Sequence, residues 1–378
     1  MRNDIVVLKR LLDLSPIKDI YQKVEAGNRI TDEEALRLYN ARDLYTLGAM
    51  ANLVRERKNG HQTYYNKNRH IDYTNVCSTS CAFCAFSRFA GEDGAFEFTH
   101  QQLAEKAIQA YEREGITELH VVGGLHPTRD FEWYEEMLRI LKRALPGIHL
   151  KCFTAVEIIF FAEKYNMTYE KVLNRLKEAG LDSMPGGGAE IFHTDVRQQI
   201  CAGKGNAEQW LEVHRTAHRL GLRTNATMLY GHIETYEHRV DHMSRLRRLQ
   251  DETGGFQAFI PLAFHPDHTR MDHFARPSGV EDLKTLAVGR VYLDNFDHIK
   301  AYWISMGVKL AQISLAYGVD DIDGTVIDEK IYRMAGSDSP EVMTAKDLQS
   351  LIRDAGRMPV ERDSVYKEMK PMPETAAR

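Results

Sequence analysis

Strand-like and helix-like stretches alternate along most of this chain, and most of the strands run into glycines or polar residues. Residues 70–76 read as a strand, and Thr99 with Gln102 caps a helix running to Gly115. Glu118–Val122 reads as a strand ending at Gly123 and Gly124, followed by a helix over 131–145. A strand over 148–154, a helix over 168–179 closed by Gly180, and a short strand over 181–184 come next. Asn206 caps a helix ending at Gly221, and the series goes on through a strand (222–230), a helix (239–253), a strand (256–262) and a helix (280–293). Strands over 299–303 and 312–316 close it. About eight such units over roughly 250 residues predict an α/β fold of the (β/α)8 barrel type. A doubly wound parallel sheet is the alternative, because a sequence period does not show closure. In both folds the residues just after the strands form the active face.

Before the alternation, Thr31 and Glu34 form a capping box and an apolar stripe continues to about Lys58, where Asn59-Gly60 stops it. After about Gly318 the chain turns polar. The expected organisation is a helical extension over 1–60, a barrel over 61–320 and a C-terminal appendage over 321–378 packed on it. Of the 378 residues 43% are hydrophobic, with no run long enough for a membrane span, and residues 1–10 do not read as a signal peptide. A net charge of −5 argues against nucleic acid as a partner but leaves room for a local basic pocket.

The chain has five cysteines, and Cys77, Cys81 and Cys84 fall within eight residues of one another. An odd, clustered set is not a disulfide framework; it predicts thiolate metal ligands in a reducing cytoplasm. Three thiolates on one short loop reach three corners of a 4Fe–4S cubane and leave the fourth iron open. S-adenosylmethionine (SAM) chelates such an iron through its amino and carboxylate groups, and electron transfer then breaks a C–S bond to make a 5′-deoxyadenosyl radical. Phe83 is placed to shield the cluster and touch adenine. A zinc knuckle is the alternative. It needs a fourth ligand, for which His70, His100 and His126 are nearest, and none completes a familiar pair. Cys152 and Cys201 read as ordinary buried thiols.

Other candidates lie at strand ends. Gly123 and Gly124 let backbone carbonyls approach the SAM ammonium. Gly186, Gly187 and Gly188 lead to Glu190, a candidate acceptor for ribose hydroxyls or the SAM amino group; a helix-start carboxylate is the plainer reading. Arg197 and Lys204 follow that loop and are candidate carboxylate partners, with a surface role as the alternative. Glu157, His126, His232 and His265 complete the candidate substrate contacts, each histidine weighed against a structural role. No side chain beyond the three cysteines is assigned to the chemistry itself.

The run from Asn75 through Cys84 to Arg88 resembles the radical SAM enzymes of futalosine-route menaquinone and deazaflavin biosynthesis, and the whole chain resembles the aminofutalosine synthase group among them. The matching stretches are 120–127, 153–158, 185–191, 226–235, 259–266, 293–295 and 323–325. One loop departs from the family pattern, with Ser78-Thr79-Ser80 in place of a bulkier, more basic insert. The resemblance implies that the adenosyl radical adds to the enol-ether double bond of 3-[(1-carboxyvinyl)oxy]benzoate. Rearrangement and decarboxylation then give aminodeoxyfutalosine, with methionine as co-product. It implies SAM as a consumed co-substrate and an electron donor such as flavodoxin or ferredoxin. Dehypoxanthine futalosine cyclase, with hydrogen abstraction in place of addition, is the alternative within the family.

Overall fold

A computed structural model describes residues 12–369. Its ten strands are β1 (Gln62–Asn66), β2 (Asn68–Asp72), β3 (Glu118–Val122), β4 (His149–Cys152), β5 (Ser183–Met184), β6 (Arg223–Tyr230), β7 (Phe256–Ala263), β8 (His298–Ile299), β9 (Asp321–Gly324) and β10 (Met358–Glu361). Strands β2 to β8 form one parallel sheet in strict chain order. That order has no reversal point, so the doubly wound alternative is excluded. Each crossover carries at least one helix, from His100–Glu114 after β2 to Gly279–Tyr292 before β8.

Regular pairing covers seven strands, and the residues around β9 span the remaining gap. The Ala301 amide donates to the Asp321 carbonyl, and the His70 amide donates to the Ile327 carbonyl. Isolated parallel bridges join Lys300 to Asp321 and Arg69 to Ile327. The segment after residue 320 therefore sits between β8 and β2. Strand β1, one residue ahead of β2, pairs in parallel with β9 and β10 in a separate three-stranded sheet.

The expected strand at 312–316 is a helix, Val308–Ser314. Gly307, at φ 82°, redirects the chain there, and Ala311, Ser314 and Leu315 are buried at helical spacing. The expected strand at 299–303 shortens to β8, and Trp303 opens a short helix. The N-terminal stripe divides into Asp32–Asn40 and Leu44–Asn59, because Asp43 caps a new helix by accepting from the Thr46 amide at 3.0 Å. Helices absent from that reading include Ala155–Lys164, Thr194–Cys201 and Ala345–Asp354. The first is nearly all apolar (mostly buried residues between Thr154 and Lys164) and has no two-sided stripe to recognise.

Candidate active site

One large cavity of about 320 Å³ opens at the C-terminal ends of the strands and reaches into the barrel. Cys77, Cys81 and Cys84 line its mouth. Their loop is tied down at several points. The Cys77 amide donates to the Arg88 carbonyl (2.9 Å), Ser78 to Leu125 (2.8 Å), and Ala82 to Ile200 (2.7 Å). Two backbone amides point at sulfur: Leu125 donates to Cys77 Sγ and Ser87 to Cys84 Sγ, both at 3.4 Å. Such bonds stabilise thiolate charge and are a recurring feature of iron–sulfur sites.

These residues fit a cubane and not a single ion. Among the described residues no three His, Cys, Asp or Glu side chains stand close enough together to hold one metal ion. Cubane corners separate their thiolates more widely than one tetrahedral ion does. The nearest histidines are engaged elsewhere: His100 hydrogen-bonds the Trp133 carbonyl (3.0 Å), His126 faces Glu97 (3.0 Å), and His70 stacks on His120. None of the three histidines nearest in sequence is thus free to complete a zinc knuckle.

Gly123, Gly124, Gly186, Gly187 and Gly188 all line the cavity. Packing demands two of them. A Cβ at Gly124 would lie 2.2 Å from the Val76 carbonyl oxygen, and one at Gly186 would lie 2.7 Å from that of Asn225. Beyond this loop Glu190 holds φ at 45°, a left-handed conformation rare for a glutamate. It is buried, and its carboxylate accepts from Lys204 Nζ at 2.6 Å. Lys204 in turn lies 4.9 Å from the Phe83 ring centre. Against burial, which opposes its charge, Cys81 and Glu190 raise the Lys204 pKa. All of Phe83, Glu190 and Lys204 line the cavity beside the cysteines.

Two candidate substrate contacts are in the wall. Glu157 caps its own helix through Thr154 and accepts from the Tyr73 hydroxyl at 2.7 Å; burial pushes its carboxyl up to about 7. His265 donates through Nε2 to the Ser305 carbonyl (2.7 Å), and its buried Nδ1 has no partner among the described residues.

Three other candidates do not reach the cavity. Arg197 is buried under the glycine loop and donates to the carbonyls of Ala189 (2.6 Å) and Gly205 (2.5 Å). It props the backbone and is not free for a substrate carboxylate. His126 accepts from the Thr128 and Arg129 amides through Nδ1. His232 is wholly enclosed beside Glu234, with Nε2 on the Leu229 carbonyl. Arg197→Leu is expected to lower unfolding free energy by about 2–4 kcal/mol, since several buried carbonyls lose their donor. A denaturant titration checks this. Unchanged stability would contradict the propping role.

The sequence reading missed the inner part of the cavity. His70 of β2, Glu118 and His120 of β3, Lys151 of β4, Lys300 just after β8 and Asp323 of β9 all line it. Register places His70 opposite His120, and His120 opposite Lys151. Lys151 Nζ donates to Glu118 at 2.6 Å, and Lys300 Nζ donates to Asp323 at 3.0 Å. The signal was present: Glu118 and His120 alternate with Leu119 and Val121, so two polar side chains share the inward face of a covered strand.

Comparison with known proteins agrees with this geometry. Residues 71–246 match the radical SAM superfamily model, and residues 253–376 match the CofH/MqnC C-terminal region. Aminodeoxyfutalosine synthase from Thermus thermophilus is 51% identical over 93% of this chain and 95% of its own. The corresponding Streptomyces coelicolor protein is 46% identical over 95% of each chain. A 5-amino-6-(D-ribitylamino)uracil–L-tyrosine 4-hydroxyphenyl transferase from Methanothermobacter thermautotrophicus is 40% identical over 93% of this chain and 98% of its own. Among solved structures, methylornithine synthase shares the fold with TM-score 0.70 at 18% identity, covering 90% of this chain and 96% of its own. Cysteine loop, parallel strand order and relatives agree, and the chain belongs to the radical SAM superfamily, in the group that contains the aminodeoxyfutalosine synthases.

Proposed function

We propose that this chain is an aminodeoxyfutalosine synthase that joins the 5′-deoxyadenosyl group of SAM to 3-[(1-carboxyvinyl)oxy]benzoate, with rearrangement, loss of carboxylate and release of methionine. The observation that carries the reading is one continuous cavity with the cysteine triad at its mouth and a charged inner end, in a chain matching that enzyme over nearly its whole length. Cys77, Cys81 and Cys84 would hold the 4Fe–4S cluster, whose chemistry when bound is reductive cleavage of SAM. Phe83 and the strand ends at Gly123 and Gly124 wall the SAM side, and Glu190 offers the carboxylate for its polar groups. The enclosed apolar walls, including Leu262, Ile260 and Phe264, keep water from the reacting carbons. In this reading the helices over 18–59 brace the barrel, residues around β9 close its gap between β8 and β2, and the enzyme works in the reducing cytoplasm.

The electron donor is an acidic flavodoxin or ferredoxin that approaches from outside the cysteine loop. A second groove there is lined by all three cysteines together with Arg88, Phe89, Glu92, His268 and Arg270, so its two arginines outnumber its one carboxylate. Basic side chains around the shortest route to the cluster favour an acidic partner.

Anaerobic incubation with SAM, reductant and the enol ether, read by mass spectrometry, tests the function. Aminodeoxyfutalosine is the expected product; its absence with a loaded cluster would overturn the reading. Glu190→Gln is expected to weaken SAM binding about tenfold, as loss of one charged hydrogen-bond acceptor does. Cluster absorption should be unchanged. Unaltered SAM affinity in a titration would remove Glu190 from the SAM side.

A further inference from the structure

The inner end of the cavity carries more hydrogen-bond donors than its own acceptors use. Lys151 Nζ makes one bond, to Glu118, and Lys300 Nζ makes one, to Asp323. An ammonium has three N–H groups, so each lysine keeps donors unspent. The His70 and His120 rings stack with centres 4.4 Å apart and planes 28° apart, and neither ring has a hydrogen-bond partner among the described residues. All four side chains line the cavity. The two carboxylates balance the two ammonium charges, while Asp323 is fixed in place by a left-handed backbone at φ 64°. Donors that face a cavity without a protein acceptor are free to serve a ligand there.

We propose that His70, His120, Lys151 and Lys300 form the seat for the ring carboxylate of the aryl enol ether. The proposal rests on the substrate reading given above and adds the residues that orient it. The enol-ether double bond must meet the adenosyl carbon near the cysteines, so the meta carboxylate at the opposite end of the flat molecule points inward. His120 precedes Gly124 by four residues, roughly 13 Å along an extended chain, which leaves room for one substituted benzene ring between the two ends. Unspent N–H donors suit a carboxylate, which only accepts.

The imidazoles are uncharged before substrate arrives. Burial drives His70 down to about 4, and Lys151 and Lys300 add to this against the pull of Asp323 and Glu118. Burial, His70 and the same two lysines also lower His120, against Glu118. Each ring therefore offers one N–H and keeps the seat from being a permanent cationic trap for any anion.

The test pairs two ligands with two variants. Wild-type enzyme should bind 2-phenoxyacrylate, which lacks the ring carboxylate, about ten- to a hundredfold more weakly than the dicarboxylate. His120→Leu should raise KM for the dicarboxylate about tenfold or more. It should change binding of 2-phenoxyacrylate by no more than about threefold. SAM affinity and cluster absorption should stay as in wild type. If His120→Leu fails to load a cluster, His120→Asn, which keeps a side-chain donor, and Lys300→Gln carry the same comparison, with Lys300→Gln losing discrimination between the ligands and His120→Asn retaining part of it. Equal loss for both ligands, or no loss for either, would overturn the seat while wild-type turnover of the dicarboxylate left the proposed function standing. No wild-type turnover would overturn the function, and the seat with it.

Discussion

Replacing any one of Cys77, Cys81 and Cys84 with Ala is expected to abolish both the cluster absorption and all SAM cleavage. The three sulfurs sit on one short loop; of the groups near Cys81, Glu190 is paired with Lys204 and Cys201 is buried away from the cavity. A cubane with two protein ligands would be exposed and labile, so the loss should be complete and not graded. Wild-type protein reconstituted without oxygen should carry about four iron atoms per chain. The control is sharp because two further cysteines exist. Cys152 lies on β4 with its side chain wholly buried, and Cys201 closes the helix Thr194–Cys201. Neither lines the cavity. Cys152→Ala and Cys201→Ala should each cost about 1 kcal/mol of stability and leave the iron content unchanged. Iron analysis and absorption spectra of the five variants decide the matter. Stoichiometric zinc in the reconstituted wild type, or full activity in a loop variant, would overturn the cluster assignment.

The outer ring of the site was legible in the sequence because its residues announce themselves by type. Three clustered cysteines have few structural uses, and Gly186, Gly187 and Gly188 are poor packing material unless something must pass close. The parallel order of the strands followed from the alternation itself. What stayed hidden depended on direction. Arg197 and Lys204 are two basic residues following the same glycine loop, yet one turns to backbone carbonyls and the other to Glu190 at 2.6 Å. Spacing alone does not separate them. The eighth barrel position was misread for a related reason. The residues that fill it come from around β9, past the point where the repeating pattern ends, and their pairing is long-range. The inner seat was overlooked although its pattern was readable. Glu118 and His120 break the apolar run expected of a covered parallel strand, and such a break marks a lined cavity. The strained backbone at Glu190 and Asp323 left no trace in sequence at all.

The fate of the adenosyl carbons separates the proposed reaction from its closest alternative. An adenosyl radical either takes a hydrogen atom and leaves as 5′-deoxyadenosine, or adds to a π-bond and stays in the product. Addition needs the radical carbon above an sp² carbon at about 3–3.5 Å, so the acceptor must be held before the C–S bond breaks. The cavity is arranged for that order of events. Its mouth is framed by the cysteines, Phe83 and Glu190, and its inner end by His70, His120 and the two lysines, so the proposed seat would hold a long flat substrate along its length. SAM carrying carbon-13 throughout its adenosyl group should therefore place all of that label in the product, with one methionine released per product. Free 5′-deoxyadenosine should stay a small fraction of the SAM consumed while the enol ether is present, and rise when it is withheld, because an empty inner end leaves nothing above the radical carbon. The hydrogen-abstracting cyclase predicts the reverse: label in stoichiometric 5′-deoxyadenosine, provoked by dehypoxanthine futalosine. Mass spectrometry of both nucleoside products from one labelled incubation distinguishes the two, and label leaving as 5′-deoxyadenosine in step with turnover would assign this cavity to abstraction.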